Sequence, residues 1–362
     1  MIKVLYDGWS LHQAPNSPEA LHLLGILGQR HPEVHPLVAL TGELQSLLPK
    51  GITPHVEPVP DTRSARLAWE QRSLPRMARR LGADLLHLTT SHPPLLGKIP
   101  SVVSPADYPT ATPPEGMTDR LRQALSSGGM ARLRGLLWPS PLEAVTPDRI
   151  TAPLYLIPPE PLTYTSLIFD GVPPELQALN LPETYILYHG PGDRRSLRNL
   201  LEAWSWAAHS IGEYYPLLIL GLDMPSRTHL HALLGELDLQ DTTYILPPLE
   251  PALVPHLYQG CTAVFHPAPP SAWGMCAWLA LRMEKPFVAA ESALADALAG
   301  AGAYLLPGQD RRALGAALIT VIVEEGVAES LSQAGKQRAA GWDLNNFSDA
   351  LFAAYQAILV AG

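Results

Sequence analysis

Two stretches of the sequence combine charge, glycine and a helix start in a way that suits an anion. In the first, Tyr185–Tyr188 reads as a buried strand running into Gly190, and Arg194 and Arg195 follow where a helix should begin. A guanidinium can grip two phosphate oxygens at once, and the unpaired amides of a helix's first turn add a favourable dipole. Two arginines at a helix start equally suit a solvated surface, so both readings stand. In the second stretch, Ser271-Ala-Trp-Gly-Met275 opens another helix. Gly274 lets backbone approach an anion closely, and the amides that follow from Met275 can donate to it. Trp273 there either walls a pocket or fills a core. Asp107, just beyond the strand Val102–Ser104, offers a carboxylate to ligand hydroxyls or caps a turn. His189 and His266 stand at strand ends too, where a lone histidine is more often structural.

The elements that must position these residues follow from periodicity. Short apolar runs alternate with amphipathic stretches along nearly the whole chain, the pattern of parallel α/β sheets. Strands are expected at Lys3–Tyr6, Leu37–Leu40, Leu85–Leu88, Val102–Ser104, Leu136–Trp138 and Leu154–Ile157. A second set falls at Tyr185–Tyr188, Leu217–Leu220, Thr243–Leu246, Ala263–Phe265, Phe287–Ala289 and Tyr304–Leu306. Helical spacing marks Pro18–Arg30, Arg63–Leu81, Leu197–Ala208, Arg227–Leu237, Leu253–Gln259, Met275–Met283, Arg311–Glu325 and Phe347–Val360. A proline-rich break between Pro158 and Pro182 divides the two sets. In sheets of this kind ligands sit beyond the carboxyl ends of the strands, which is where the anion-suited residues fall.

Composition narrows the choices. The 362 residues are 47 % apolar, enough for two cores and too ordered for a disordered chain. No apolar run reaches the roughly 20 residues of a spanning helix, and Asp7 interrupts the N-terminal run where a signal peptide would continue, so a cytoplasmic protein is expected. A net charge of −9 argues against a general nucleic-acid binder. Cys261 and Cys276 form no CxxC and have no histidine at ligand spacing, so no metal site is expected. The P-loop, the G-x-G-x-x-G turn, the G-x-S-x-G elbow and H-E-x-x-H are all missing. Between Arg63 and Arg80 stand six arginines against one glutamate, a solvated face or a contact for an anionic membrane surface or lipid phosphate.

Taken in order, Tyr185–Gly190, Arg194–Ala203, Leu217–Gly221, His266–Lys285, Leu306-Pro307 with Asp310, and the closing Phe347–Tyr355 resemble the second half of retaining glycosyltransferase family 4. In the first half, Trp69–Pro75 leading to Asp84–His87 is similar to members that use mannose-type donors. The resemblance implies a GT-B fold, an α/β architecture of two Rossmann-like domains whose parallel sheets face a central cleft. It implies an acceptor-side domain over 1–165, a nucleotide-sugar domain over 180–345, and a closing helix, 346–362, that crosses back. It further implies transfer from a nucleoside-diphosphate sugar, as co-substrate and with no other cofactor, to a glycan or lipid-linked acceptor. Gly190, Arg194 and Arg195 would then serve the diphosphate, Ser271, Trp273, Gly274 and Met275 would form the donor loop, and Asp107 would touch sugar or acceptor.

The sequence departs from that family at its side chains. Ser271 and Leu279 stand where the family has paired glutamates, Ala106 replaces a histidine before Asp107, and Gln13–Pro18 replaces a glycine-rich loop. Losing one charged hydrogen-bonding partner costs about 1.5–3 kcal/mol. The alternative expectation is therefore a glycosyltransferase-like chain that has lost catalysis and serves as a binding or scaffolding subunit. A sugar-nucleotide isomerase or epimerase ranks below both.

Overall fold

The computed structural model describes residues 1–9, 27–42, 52–60, 62–88, 92–104, 117–140, 152–158, 171–190, 192–222, 224–247, 249, 253–268, 275–340 and 344–361. Two compact units divide the chain. One takes Met1–Thr163 and Trp342–Gly362, the other Tyr164–Pro270 and Gly274–Gly341.

Each unit is built on a wholly parallel sheet. The first contains β1 (Ile2–Asp7), β2 (Val34–Leu40), β3 (Thr53–Val56), β4 (Leu85–Leu88), β5 (Ser101–Val103), β6 (Gly135–Pro139) and β7 (Leu154–Ile157), in the order 3-2-1-4-5-6-7. The second contains β8 (Ile186–His189), β9 (Leu217–Leu220), β10 (Thr243–Ile245), β11 (Ala263–His266), β12 (Phe287–Ala290) and β13 (Ala303–Leu306), in the order 10-9-8-11-12-13. Each sheet grows outward in one direction and then restarts on the other side, between β1 and β4 and between β8 and β11. Loops leaving those neighbouring strands diverge to opposite faces and open a crevice past their carboxyl ends. Asp7 ends β1, and His189 and His266 end β8 and β11.

The apolar runs of the sequence are central strands covered on both faces. Successive side chains of β1 show it: Val4 packs with Val34, Leu85 and Val102, while Leu5 packs with Leu37, Leu86 and Trp69 on the opposite face. The strand β3 has no such run, which is why its sequence gave no signal. It is a half-exposed edge strand, where Pro54 is tolerated because no outer neighbour needs its missing N–H.

The helix expected over Arg63–Leu81 is present but interrupted. Arg63–Ala68 and Leu74–Leu81 are α-helical, and Trp69–Ser73 forms a wider π turn, with the amide of Leu74 bonding back to the carbonyl of Trp69. Pro75 supplies the reason: it has no N–H for the carbonyl four residues before it, so the regular ladder cannot run through. The wider turn brings Trp69 and Glu70, consecutive residues, both into the interior. The helix expected over Arg311–Glu325 ends at Val323, and a second helix, Glu325–Ala339, follows at once.

The closing helix, Leu344–Val360, belongs to the first unit. Its stripe of Phe347, Leu351, Ala354, Tyr355 and Ile358 is buried against β1, β4, β5, β6 and β7 residues. Burying an aromatic or branched side chain of this kind contributes about 1.5–3 kcal/mol. Polar contacts fix its position. Arg30 grips Asp349 through two bonds of 2.7 Å, His31 Nε2 lies 2.9 Å from the same carboxylate, and His31 stacks on Phe352. Deeper in, Tyr355 Oη lies 2.6 Å from His87 Nδ1.

Candidate functional site

In the second unit the switch point gathers His189, Gly190, His266 and the start of the Arg194–Ile211 helix. Asp193 caps that helix, its Oδ1 accepting from the amides of Arg195 at 3.0 Å and Ser196 at 3.1 Å. Burial alone would raise the Asp193 carboxyl, but these bonds, Ser196's first, hold it below the ordinary value. The cap changes what this helix start can offer. Two of its amides are already taken, so an anion would be met by guanidinium groups rather than by amides.

Those guanidinium groups are available. Arg194 and Arg195 are exposed, and neither pairs with a carboxylate among the described residues. One turn on, Arg198 is held by Glu236 at 3.1 and 3.2 Å and lies 3.7 Å from Glu202. Arg311 is held by Glu202 and by Asn199. Arg198 and Arg311 are thus neutralised, whereas Arg194 and Arg195 keep no carboxylate partner among the described residues.

Gly190 has a structural reason of its own. A Cβ there would lie 2.6 Å from His266 Nε2 and 2.8 Å from Tyr188 Oη, so no side chain fits. His266 stacks on Tyr188 and its Nδ1 donates to the Ala268 carbonyl at 2.5 Å, which fixes Nε2 as the acceptor nitrogen. His189 Nδ1 lies 3.1 Å from Tyr258 Oη. Burial lowers both imidazoles, His189 to about 4, so both are neutral at physiological pH. They supply hydrogen bonds here and no charge.

Of the other residues singled out from the sequence, Asp107, Ser271, Trp273 and Gly274 lie outside the described residues, as does Gln13–Pro18. Met275 opens the Met275–Arg282 helix as expected. Leu279, within that helix, is fully buried, so its position presents only hydrocarbon to its surroundings. Glu284 is engaged by Lys336 at 2.8 Å and Glu291 is exposed, and neither occupies a position matching a family glutamate. Among the described residues no three His, Cys, Asp or Glu side chains come together as a metal cage.

The first unit has a polar cluster that the sequence reading did not single out. Asp7, at the carboxyl end of β1, accepts from Trp69 Nε1 at 2.9 Å and from the Trp9 amide at 3.1 Å, both on Oδ1. Glu70 is buried beside it and is gripped by Arg122 through both carboxylate oxygens, with Arg66 Nε 3.4 Å away. Burial raises both carboxyls, while the Trp69 bond to Asp7 and the Arg122 bond to Glu70 pull the other way. One signal was present in the sequence: a carboxylate closing an otherwise apolar first strand. Its side-chain partner Trp69, 62 residues away, was not readable.

A second constellation looks catalytic and is not. His87 Nε2 lies 2.6 Å from Ser104 Oγ and Nδ1 lies 2.6 Å from Tyr355 Oη, which has the outline of a hydroxyl activated by a base. Burial pushes His87 down to about 3, so it cannot take a proton from Ser104 at neutral pH. It ties β4 to β5 and to the closing helix. The arginines of the Arg63–Leu81 segment also divide by role. Arg66 and Arg63 pair with Glu70 and Asp119, whereas Arg72, Arg76, Arg79 and Arg80 are exposed and make no ion pair among the described residues.

No family model matches this sequence, and no curated protein matches it. Solved structures do. The chain is similar to a sucrose-phosphate synthase from Thermosynechococcus elongatus, with a TM-score of 0.75 at 16 % identity over all of both chains. WaaG, a glycosyltransferase involved in lipopolysaccharide biosynthesis, matches with a TM-score of 0.72 at 16 % identity over 98 % of each chain. HepE of Anabaena, solved with UDP and glucose, matches with a TM-score of 0.67 at 15 % identity over 99 % of this chain and all of that one. At such identities the likeness is one of fold, and the fold is the GT-B type expected from the sequence.

Proposed function

We propose that this chain is a glycosyltransferase that moves a sugar from a nucleoside-diphosphate sugar to an acceptor hydroxyl, with retention at the anomeric carbon. The observation that carries the reading is the uncompensated pair Arg194 and Arg195 at the carboxyl end of β8, beside a sheet's switch point. When the bond between the anomeric carbon and the diphosphate breaks, the electron pair stays on the diphosphate. Guanidinium groups fixed at that place stabilise the charge as it develops. HepE, whose fold this chain shares, is solved with UDP and glucose, which supports a donor of the same class. In this reading the second unit, 180–345, binds the donor and the first, 1–165 with the helix 346–362, takes a glycan or lipid-linked acceptor. Gly190, Ser271, Trp273, Gly274 and Met275 would line the donor site, and Asp107 would touch sugar or acceptor. No metal or other cofactor enters.

The reading places the enzyme in the cytoplasm, with Arg72, Arg76, Arg79 and Arg80 meeting an anionic membrane surface. No helix among the described residues is long and apolar enough to cross one. Four uncompensated arginines contribute about 1 kcal/mol each near such a surface.

A second reading is favoured by one observation, the burial of Leu279 where the family resemblance calls for a glutamate. A chain that binds donor poorly and serves as a scaffold beside an active enzyme would show that replacement. Calorimetric titration with UDP, GDP, ADP and their sugars, together with a donor-hydrolysis assay, separates the two. Saturable binding of one nucleotide sugar, weakened about tenfold or more by Arg195→Ala and accompanied by slow hydrolysis, supports the enzyme. Absence of binding across the panel at millimolar ligand leaves the scaffold.

A further inference from the structure

The second unit closes one side of its sheet with an edge strand whose outer row of backbone groups is unguarded. β13 follows β12 in the sheet and has no neighbour on its other side. The pairing of Ala290 with Leu306, and the bond from the Glu291 amide to the Leu306 carbonyl, set the direction of each peptide group. In a parallel ladder alternate residues turn both their groups to one neighbour, so Tyr304 and Leu306 face β12 while Ala303 and Leu305 face outward. The Ala303 amide returns to the Gly300 carbonyl. The Ala303 carbonyl and both groups of Leu305 have no hydrogen-bond partner among the described residues. Edges of this kind are commonly blunted by proline or charge, as β3 is by Pro54. β13 reads Ala-Tyr-Leu-Leu and has neither.

Beside those groups lies a place for side chains. A groove of about 470 Å³ is lined by Ala303 and Leu305 on the strand and by Val327, Ser330 and Leu331 on the Glu325–Ala339 helix. Val327 and Leu331 belong to the unit's core and give the groove an apolar floor. A Cβ at Gly326 would meet nothing within 4 Å, so the helix wall stands open there. That wall carries charge of one sign. Glu324, Glu325 and Glu329 are exposed, and none pairs with a cation among the described residues. The helix's own two cations are spent, Lys336 on Glu284 at 2.8 Å and Arg338 on the carbonyls of Leu298 and Ala297.

We propose that β13 and this groove are a docking site for an extended, basic segment of another protein, which adds to the sheet as a further strand. Three features select that occupant. The free row of carbonyl, amide and carbonyl is matched by another backbone in extended form. An added strand turns every second side chain to the groove side, where Val327 and Leu331 suit an apolar group. Its ends pass the glutamates, which favour lysine or arginine over an acidic segment. A second copy of this chain, pairing through its own β13, would bring the same glutamates with it, and like charges set opposite one another oppose that pairing. The site lies wholly within the second unit and does not depend on the glycosyltransferase reading.

The test uses the full chain and a labelled, end-blocked peptide of alternating lysine and valine, with binding followed by fluorescence anisotropy. Sedimentation velocity records the association state of the chain itself. Two control peptides isolate the features: one has glutamate for lysine, and the other is N-methylated at alternate residues so that it cannot donate to the edge. Saturable binding of the lysine peptide is expected, with a loss of about tenfold or more for each control. Leu305→Pro removes the outward N–H while Tyr304 and Leu306 keep their bonds to β12, and should weaken binding about fivefold or more. Glu329→Lys changes only an exposed position and should weaken it about twofold to fivefold, so it decides if Leu305→Pro does not fold. No saturable binding up to about 1 mM, equal binding of the N-methylated peptide, or binding indifferent to Glu329→Lys would each overturn the proposal. So would a dimer of the chain that Leu305→Pro dissolves, since a second copy would then be the occupant.

Discussion

The neutral, fully buried His87 makes the stability of the first unit depend on pH in a way that can be worked out. Its ordinary value of 6.5 falls to about 3 in the fold, because burial penalises the charged imidazole. Such a group binds fewer protons folded than unfolded, so its share of stability is complete above about pH 6.5 and drains as the pH falls toward 3. Between about pH 7.5 and pH 4.5 the loss from His87 alone is about 2.7 kcal/mol, two pH intervals below the unfolded value at about 1.4 kcal/mol each. The perturbation is His87→Gln, which still reaches for Tyr355 and Ser104 but does not titrate. The variant is less stable at every pH, through the smaller side chain and poorer bonds, so the slope is the readout rather than the level. Urea unfolding at the two pH values, followed by hydrogen exchange of peptides covering β4, reports the first unit by itself. Wild type is expected to lose about 2–3 kcal/mol more than the variant over this interval. Asp349, held near 2 chiefly by its hydrogen bond from Arg30, titrates below the interval and does not intrude. Equal slopes within about 0.5 kcal/mol would refute the argument, since they would mean that His87 is either solvated or already charged in the fold.

Three further outcomes follow from single contacts. Asp193→Ala removes the cap of the Arg194–Ile211 helix and should cost the second unit about 1 kcal/mol in urea melts, while freeing two amides and lifting a repulsive charge. Diphosphate affinity measured by calorimetry should therefore hold or rise, and a fall would show that Asp193 belongs to the binding site. Gly190→Ala drives a methyl into His266 and Tyr188 and should cost about 1–3 kcal/mol, read as a lower melting temperature with no ligand present. Leu279→Glu, which restores the family's residue type, places an unpaired carboxylate in a fully buried position. It should destabilise by about 3 kcal/mol or more, judged by denaturant melts, and a variant as stable as wild type would mean that the position opens to solvent or ligand.

Much of the second unit was legible because its signals are local. Leu217–Leu220 is a buried strand on both readings, as is Leu85–Leu88 in the first unit, and a central parallel strand announces itself by an uninterrupted apolar run. The edge strand β3 was not legible, since half-exposed edges need no such run. The Met117–Met130 helix was equally silent: Ser126, Ser127, Gly128 and Gly129 weaken its propensity, and its register is fixed by Arg122 reaching Glu70. Beyond β8 the sequence singled out Arg194 and Arg195, but not that Asp193 already occupies the amides they frame.

By itself the sequence determined the fold class and marked which stretches end in anion-suited residues. These depend on periodicity and on residue type within a few positions, which one chain displays directly. Only the tertiary structure decided which charges are spent and which remain. Arg66, Arg122 and Arg198 look as available in sequence as Arg194 and Arg195, and they differ only in having a carboxylate brought to them. Asp7 is the converse. Its sequence neighbours mark it as part of a strand, and only the packing of a π turn 62 residues later leaves it buried with one oxygen satisfied and the other without a partner among the described residues. Burial and pairing are properties of distant residues meeting in space, and they set the energies on which binding depends.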